Sequence, residues 1–316
     1  MPIITYSPAY TIVPTYECFN RCSYCNFRVD PGADKWMTLD RATQILADLQ
    51  DKDVCEILIL SGEVHPRSSR RQAWIERIYD LGNLALEMGF LPHTNAGPLS
   101  FREMEKLAQV NVSMGLMLEA LDPALLAGVH RHAPSKLPQI RLEQLDWAGK
   151  LQIPFTTGLL LGIGESAIDW ESSLQAIADI HDRWGHIQEV ILQPYSPGSQ
   201  ESFSGMGFDI QKLPVVISLA RQILPTNVAI QIPPNLIPNP DLLLTCLNAG
   251  ARDLGGIVPK DEVNPDYHHL QLSELTSLLA NAGWELRPRL PVYPDRVHDL
   301  SDRLQAYVRT SKACLV

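Results

Sequence analysis

No apolar run in these 316 residues approaches the roughly 18 that a membrane-spanning helix needs. The opening Met1-Pro2-Ile3-Ile4-Thr5-Tyr6 lacks the basic stretch of a secretory signal. Positive charge is also scarce. The chain has 26 Lys and Arg against 36 Asp and Glu, a formal net charge of -10, which excludes a sequence-independent grip on nucleic acid or anionic lipid. Its one basic run, Arg67-Ser68-Ser69-Arg70-Arg71, reads as a solvated loop with no assigned role. Six cysteines are too sparse for a secreted disulfide framework, and Cys314 stands one place too late for a prenylation box. Linkers, repeats and low-complexity segments are missing as well. What remains is a cytoplasmic protein acting on small molecules, with neither nucleic acid nor membrane as partner.

With 45% hydrophobic and 20% charged residues, the chain can bury a sizeable core. Short β-rich runs alternate with amphipathic helical stretches, the strands falling near 11–15, 54–60, 90–94, 112–118, 154–161, 189–193, 228–232 and 253–257. Thr38 is a candidate N-cap for a helix whose Ala42, Ile45, Leu46 and Leu49 share one face. Ser100 with Glu103 and Ser166 with Asp169 have capping-box spacing. About eight βα units imply a parallel (β/α)8 TIM-type barrel, or a partial (β/α)6 barrel with a C-terminal extension. A single domain over 1–316 is expected, stiffened at Pro233, Pro234, Pro238 and Pro240. Its tail is extended from about Trp284 to Pro294, and a last helix follows over about 295–308.

Three cysteines crowd into the loop Cys18-Phe19-Asn20-Arg21-Cys22-Ser23-Tyr24-Cys25 behind the first strand, at the barrel face where active sites gather. Iron-sulfur cubanes take four thiolates, so three leave one iron open to a second molecule. The same trio could instead hold zinc with His65 or His93, or a four-thiolate cluster with Cys55 or Cys246. Three further polar clusters share the strand ends: Ser61-Gly62-Glu63, Glu119, and the glycine-rich Gly158-Leu159-Leu160-Leu161-Gly162-Ile163-Gly164-Glu165.

The cysteine spacing, with these clusters at strands one, two, four and five, resembles the radical S-adenosylmethionine (SAM) superfamily. That resemblance implies a 4Fe-4S cluster on Cys18, Cys22 and Cys25 whose open iron chelates SAM, and cleavage of SAM to methionine and a 5'-deoxyadenosyl radical. It also assigns SAM contacts. Ser61, Gly62 and Glu63 would meet the methionine amino group, with Ser61 replacing the usual first glycine. Glu119 would meet the ribose, and Tyr24, Gly162 and Ile163 the adenine.

Later segments narrow the resemblance. His93-Thr94-Asn95-Ala96-Gly97, Pro134-Ser135-Lys136 with Arg141, Gln188-Glu189-Val190-Ile191, Pro233-Pro234-Asn235-Leu236, Asp253-Leu254-Gly255-Gly256-Ile257 and Arg289-Leu290-Pro291-Val292-Tyr293-Pro294 are similar to the first-subunit family of 7,8-didemethyl-8-hydroxy-5-deazariboflavin (FO) synthase, over about Tyr16 to Pro294. This implies ring closure of a hydroxybenzyl-ribityl-uracil adduct with loss of ammonia, in coenzyme F420 biosynthesis. It also implies a second, adduct-forming component and an electron donor such as ferredoxin or flavodoxin. The candidate substrate contacts are His93, Asn95, Arg141, Gln188, Gln193, Asn235 and Asp253. Three departures, Pro194-Tyr195, Val258-Pro259 and His268-His269, are expected near the substrate end.

Overall fold

The computed structural model describes residues 1–237, 239–257, 262 and 271–311. Pro238, Val258-Pro259, His268-His269 and Cys314 lie outside the described residues. Strands and helices alternate in the order β1 (Ile3–Ile12), α1 (Leu39–Ala47), β2 (Glu56–Leu60), α2 (Arg71–Glu87), β3 (Leu91–Asn95), α3 (Phe101–Ala108), β4 (Ser113–Gly115), α4 (Pro138–Lys150), β5 (Phe155–Leu161), α5 (Ala167–Trp184), β6 (Ile187–Pro194), α6 (Leu213–Ile223), β7 (Ala229–Gln231), α7 (Pro240–Ala249), β8 (Asp253–Ile257), α8 (Leu272–Asn281), β9 (Glu285–Pro288) and α9 (Asp302–Thr310).

Strands β1 to β8 are parallel neighbours, and β1 closes the ring by pairing with both β2 and β8. The partial six-unit alternative is therefore ruled out. The first strand is longer and earlier than the 11–15 expected, because it serves three partners. Ala9 to Ile12 pair with β2, Thr5 to Pro8 with β8, and Ile3 to Tyr6 with β9. Strand β9 thus fastens the extended tail beside the barrel's N-terminal end. The last helix also begins later than expected, after a 3-10 turn over Pro294–Asp299.

Local signals explain most of the elements. Every residue of β5 is buried, as a barrel strand covered on both faces requires. Thr38 accepts from the Arg41 amide at the start of α1, and Ser100 and Glu103 satisfy each other's backbone at the start of α3. At α5 the Ser166 amide and hydroxyl both donate to Asp169. The core lies between the strands' outer faces and the helices, with Trp74, Ile78 and Leu81 of α2 fully covered. Each such side chain contributes about 1.5–3 kcal/mol. The basic run before α2 is an exposed loop at Arg67, Ser69 and Arg70, but its last residue is not solvated: Arg71 is buried, forks onto Glu103 at 2.8 and 2.9 Å and donates to the Val64 carbonyl, while Arg70 pairs with buried Glu17 at 2.6 Å.

Gln188 fixes the tail. Its amide nitrogen donates to the Pro291 carbonyl at 2.8 Å and its amide oxygen accepts from the Tyr293 amide at 3.1 Å. Gln188→Leu should leave both backbone groups unpaired in a buried place, costing about 1–3 kcal/mol per group. Chemical denaturation should show that loss with the far-UV circular dichroism unchanged.

Candidate active site

Behind β1 the chain turns into the cysteine loop, which is tied down from two sides. The Phe19 amide donates to the Glu63 carbonyl after β2, while the Arg21 and Ser23 amides donate to the His132 and Val129 carbonyls of the segment after β4. Cys25 closes a turn onto the Cys22 carbonyl at 3.1 Å. All three cysteines are half-buried. Burial pushes the Cys22 thiol up to about 12 and raises that of Cys18, so neither ionises unaided at neutral pH. Iron supplies the charge that holds such thiolates deprotonated. The donor set therefore suits a cluster.

The alternative ligands stand elsewhere. Cys55 lies at the foot of β2 against the Arg289 carbonyl, and Cys246 is sealed in α7. His65 packs edge-on to Phe19 with its Nδ1 accepting from the Arg67 amide, and His93 is inside the barrel on Ser113 at 2.7 Å. Among the described residues no three His, Cys, Asp or Glu side chains converge on one ion. A cubane spreads its thiolates over separate irons and does not need such convergence.

Beside the loop is a cavity of about 250 Å³ whose walls include Tyr24, Ser61, Glu63, Glu119, Lys136 and Arg141. Glu63 is held by Asn20 at 2.8 Å and Arg141 at 3.3 Å, and Asn20 also donates to the Cys18 sulfur. Gly97, at φ +80°, leaves room for the Glu63 carboxylate; a Cβ there would come within 2.4 Å of it. Gly62 is equally constrained, since its Cβ would meet the Glu17 carbonyl oxygen at 2.2 Å. Ser61 keeps its place by accepting from Trp74 Nε1 at 2.9 Å.

Glu119 holds a left-handed backbone, φ +70°, that non-glycine residues adopt only under constraint. The constraint is visible: its amide donates to the Gly158 carbonyl, its carbonyl accepts from the Leu160 amide, and its carboxylate is paired with Lys136. Burial alone would raise its pKa, but Lys136 and Arg141 outweigh burial and lower it. Tyr24 is half-buried against Tyr195 and bonds His130 Nε2 at 2.9 Å. Gly162 and Ile163 line neither this cavity nor the next; their amides cap the Glu165 carboxylate at 2.6 and 2.8 Å behind the wall residue Leu160.

A second cavity, about 230 Å³, runs down the barrel interior and shares Leu60, Asn95, Leu116, Met117, Gln193 and Leu236 with the first. His93, Asn95, Gln193 and Asn235 line it. Arg141 instead borders the upper cavity, where it also donates to the Met117 and Ser135 carbonyls. Asp253 is fully buried beneath the lower cavity, bound to Arg289. Gln188 faces away from the lumen, bound to the tail. Side chains on a strand alternate between faces, so Gln188 and Gln193 cannot point the same way; the lumen receives Glu189, Ile191 and Gln193. Tyr195, expected near the substrate, lines the upper cavity. Sequence reasoning did not single out Asn20, Lys136, Glu189, Gln231 or Arg289. For Glu189 the period-2 alternation with Gln193 was the available signal.

Residues 12–177 match the family model described as the radical SAM superfamily. The chain is 66% identical over 307 residues to a 7,8-didemethyl-8-hydroxy-5-deazariboflavin synthase of Trichormus variabilis, covering 97% of this chain and 90% of the relative. An identically named protein of Gloeobacter violaceus is 56% identical over 312 residues, covering 99% and 97%. The chain belongs to the FO synthase family, within the radical SAM superfamily. Its fold is that of an FeFe-hydrogenase maturase, HydG, of Carboxydothermus hydrogenoformans, at a TM-score of 0.77 and 16% identity over 98% of this chain and 76% of that one. Family membership brings a 4Fe-4S cluster and SAM as cofactors.

Lys136→Met should leave Glu119 buried without its main counter-charge and cost about 3–5 kcal/mol at neutral pH. Because Glu119's folded pKa lies below its ordinary 4.5, the pair's contribution is present above that value and lost as pH falls through the depressed one. Denaturation curves of wild type and variant should therefore converge in acid.

Proposed function

We propose that this FO synthase family member closes the central ring of 5-amino-5-(4-hydroxybenzyl)-6-(D-ribitylimino)-5,6-dihydrouracil, releasing ammonia and yielding FO for coenzyme F420 biosynthesis. The observation that carries the reading is the junction of the two cavities. A charged upper chamber beside the cysteine loop opens, across Leu60, Leu116, Met117 and Leu236, into a polar lower chamber inside the barrel. A radical formed above can reach a substrate below without entering solvent.

When bound on Cys18, Cys22 and Cys25, the reduced cluster supplies the electron that cleaves SAM to methionine and the 5'-deoxyadenosyl radical. The protein's own residues bind and orient. Glu63, braced by Asn20 and Arg141, accepts from the methionine ammonium, and Glu119, neutralised by Lys136, accepts from the ribose hydroxyls. Tyr24 with Leu160 offers a flat wall to the adenine, to which Gly162 and Ile163 contribute through the turn they build on Glu165. Below, His93, Asn95, Gln193 and Asn235 surround the adduct. The adduct would give a hydrogen atom to the radical, ring closure would expel the amino group as ammonia, and the remaining electron would return to the oxidised cluster with a proton passing to solvent, so that SAM, ending as methionine and 5'-deoxyadenosine, is the net oxidant.

The adduct comes from a second radical SAM component, and the electron from a carrier of the ferredoxin or flavodoxin type. Residues 1–316 act as one domain, the tail from about 284 entering the barrel through Arg289. The cytoplasm is the proposed compartment; no helix of the described residues is long and apolar enough to cross a membrane. Reconstituted, reduced enzyme given SAM and the adduct should form fluorescent FO and 5'-deoxyadenosine together. Deoxyadenosine without FO would assign the chain another substrate, aromatic or futalosine-like. Cys22→Ala should lose both products and most of its iron.

A further inference from the structure

The lower chamber ends on a buried ion cluster that the tail delivers. Arg289, one residue past β9, projects into the N-terminal end of the barrel. Its Nε donates to Asp253 at 2.6 Å, its Nη2 to Asp253 at 2.8 Å and Glu189 at 2.6 Å, and its Nη1 to the Leu290 carbonyl at 3.1 Å. Tyr293 closes the group, its hydroxyl donating to Asp253 at 3.0 Å and its ring lying 4.7 Å from the guanidinium. Every guanidinium nitrogen has a protein partner; Asp253 compensates its positive charge, while burial and the neighbouring Asp253 push the Glu189 carboxyl up to about 8.

This matters for what the floor can hold. Arg289 is the one Lys or Arg among the described residues lining the chamber, against Glu56, Glu189 and Glu262. An entering carboxylate or phosphate would find no uncompensated cation and would lose its hydration beside buried acids without repayment. Neutral groups rich in hydroxyls meet the opposite situation. Glu189, Glu56, Gln231 and Thr156 place acceptors and amide or hydroxyl groups around the floor. Turned to donate, the Gln231 amide lies 3.1 Å from both Glu189 oxygens. Leu60, Leu116, Met117 and Leu236 form an apolar belt at the junction above, and Leu58, Ile191 and Leu254 also line the chamber below it. An aromatic ring suits that belt, and a polar chain suits the floor.

We propose that the chamber floor is a subsite for a neutral polyol, and that it rejects anionic groups because its one cation, Arg289, is already taken up by Asp253 and Glu189. Resting on the function proposed above, this directs the ribityl chain downward and the ring to be closed upward, toward the SAM chamber. Glu189 and Gln231 are the specificity-determining side chains.

The test uses FO itself, the fluorescent product, titrated anaerobically into cluster-loaded enzyme with SAM and no reductant. Two analogues are compared: one with methyl in place of ribityl, and FO 5'-phosphate. Each should bind at least about tenfold more weakly than FO, the methyl analogue through lost hydrogen bonds and the phosphate through its charge. Glu189→Gln, which keeps the shape of the floor but cannot ionise, should shrink the handicap of the phosphate as pH rises through about 8, an effect that loosened packing would not produce. Gln231→Leu, a milder change, should weaken FO while leaving the methyl analogue unaffected. Equal binding of FO and the methyl analogue, or binding of the phosphate as tight as FO, overturns the subsite. If FO is formed in the turnover assay but the three ligands bind alike, only the subsite is wrong. If FO neither forms nor binds, both readings fall.

Discussion

Barrel closure at β1 is the constraint on which everything else rests. A parallel ring has no hairpins to hold its ends, so its first strand must find its last. Here β1 is hydrogen-bonded to β2, β8 and β9 at successive heights. The cysteine loop leaves from the top of that strand, and the tail carrying Arg289 leaves from the strand beside its foot. The two ends of the reaction chamber are therefore fixed to one element, which sets their distance and orientation without any contact between them.

The upper chamber shows how a buried polar site stays satisfied. Glu63 and Glu119 are both carboxylates in confined space, and each has a cation and a hydrogen-bond partner in place before any ligand arrives. Preorganisation of this kind lowers the cost of ordering the site on binding. It also explains the local strain: the left-handed backbone at Glu119 is tolerated because strand-like bonds to β5 hold the residue on both sides.

Much of this was legible in the sequence. The eight βα units, the Thr38 and Ser100 caps and the strand-end placement of the cysteine loop, Ser61 to Glu63 and Glu119 follow from periodicity and spacing. What escaped were contacts between residues far apart in the chain. Nothing local marks Arg289 as partner to Glu189 and Asp253, since they meet only when the tail pairs with β1. Gln188 was legible in type and wrong in direction: a one-residue step on a strand turns a side chain from the lumen to the outside, and composition alone does not say which parity faces in. The basic run at 67–71 is the exposed loop its composition implied except at its end, where two acids distant in sequence, Glu17 and Glu103, receive Arg70 and Arg71.

The tail acts as a removable plug in an otherwise complete barrel. Most of the cofactor half of the active site is built from residues 18–163, whereas the one cation on the floor of the substrate chamber, Arg289, is contributed last and from outside the ring. Depth and charge of the chamber can thus be altered through a few residues around 285–293 while the radical-generating machinery stays untouched. In evolutionary terms, the reaction and its recipient occupy separable parts of one sequence.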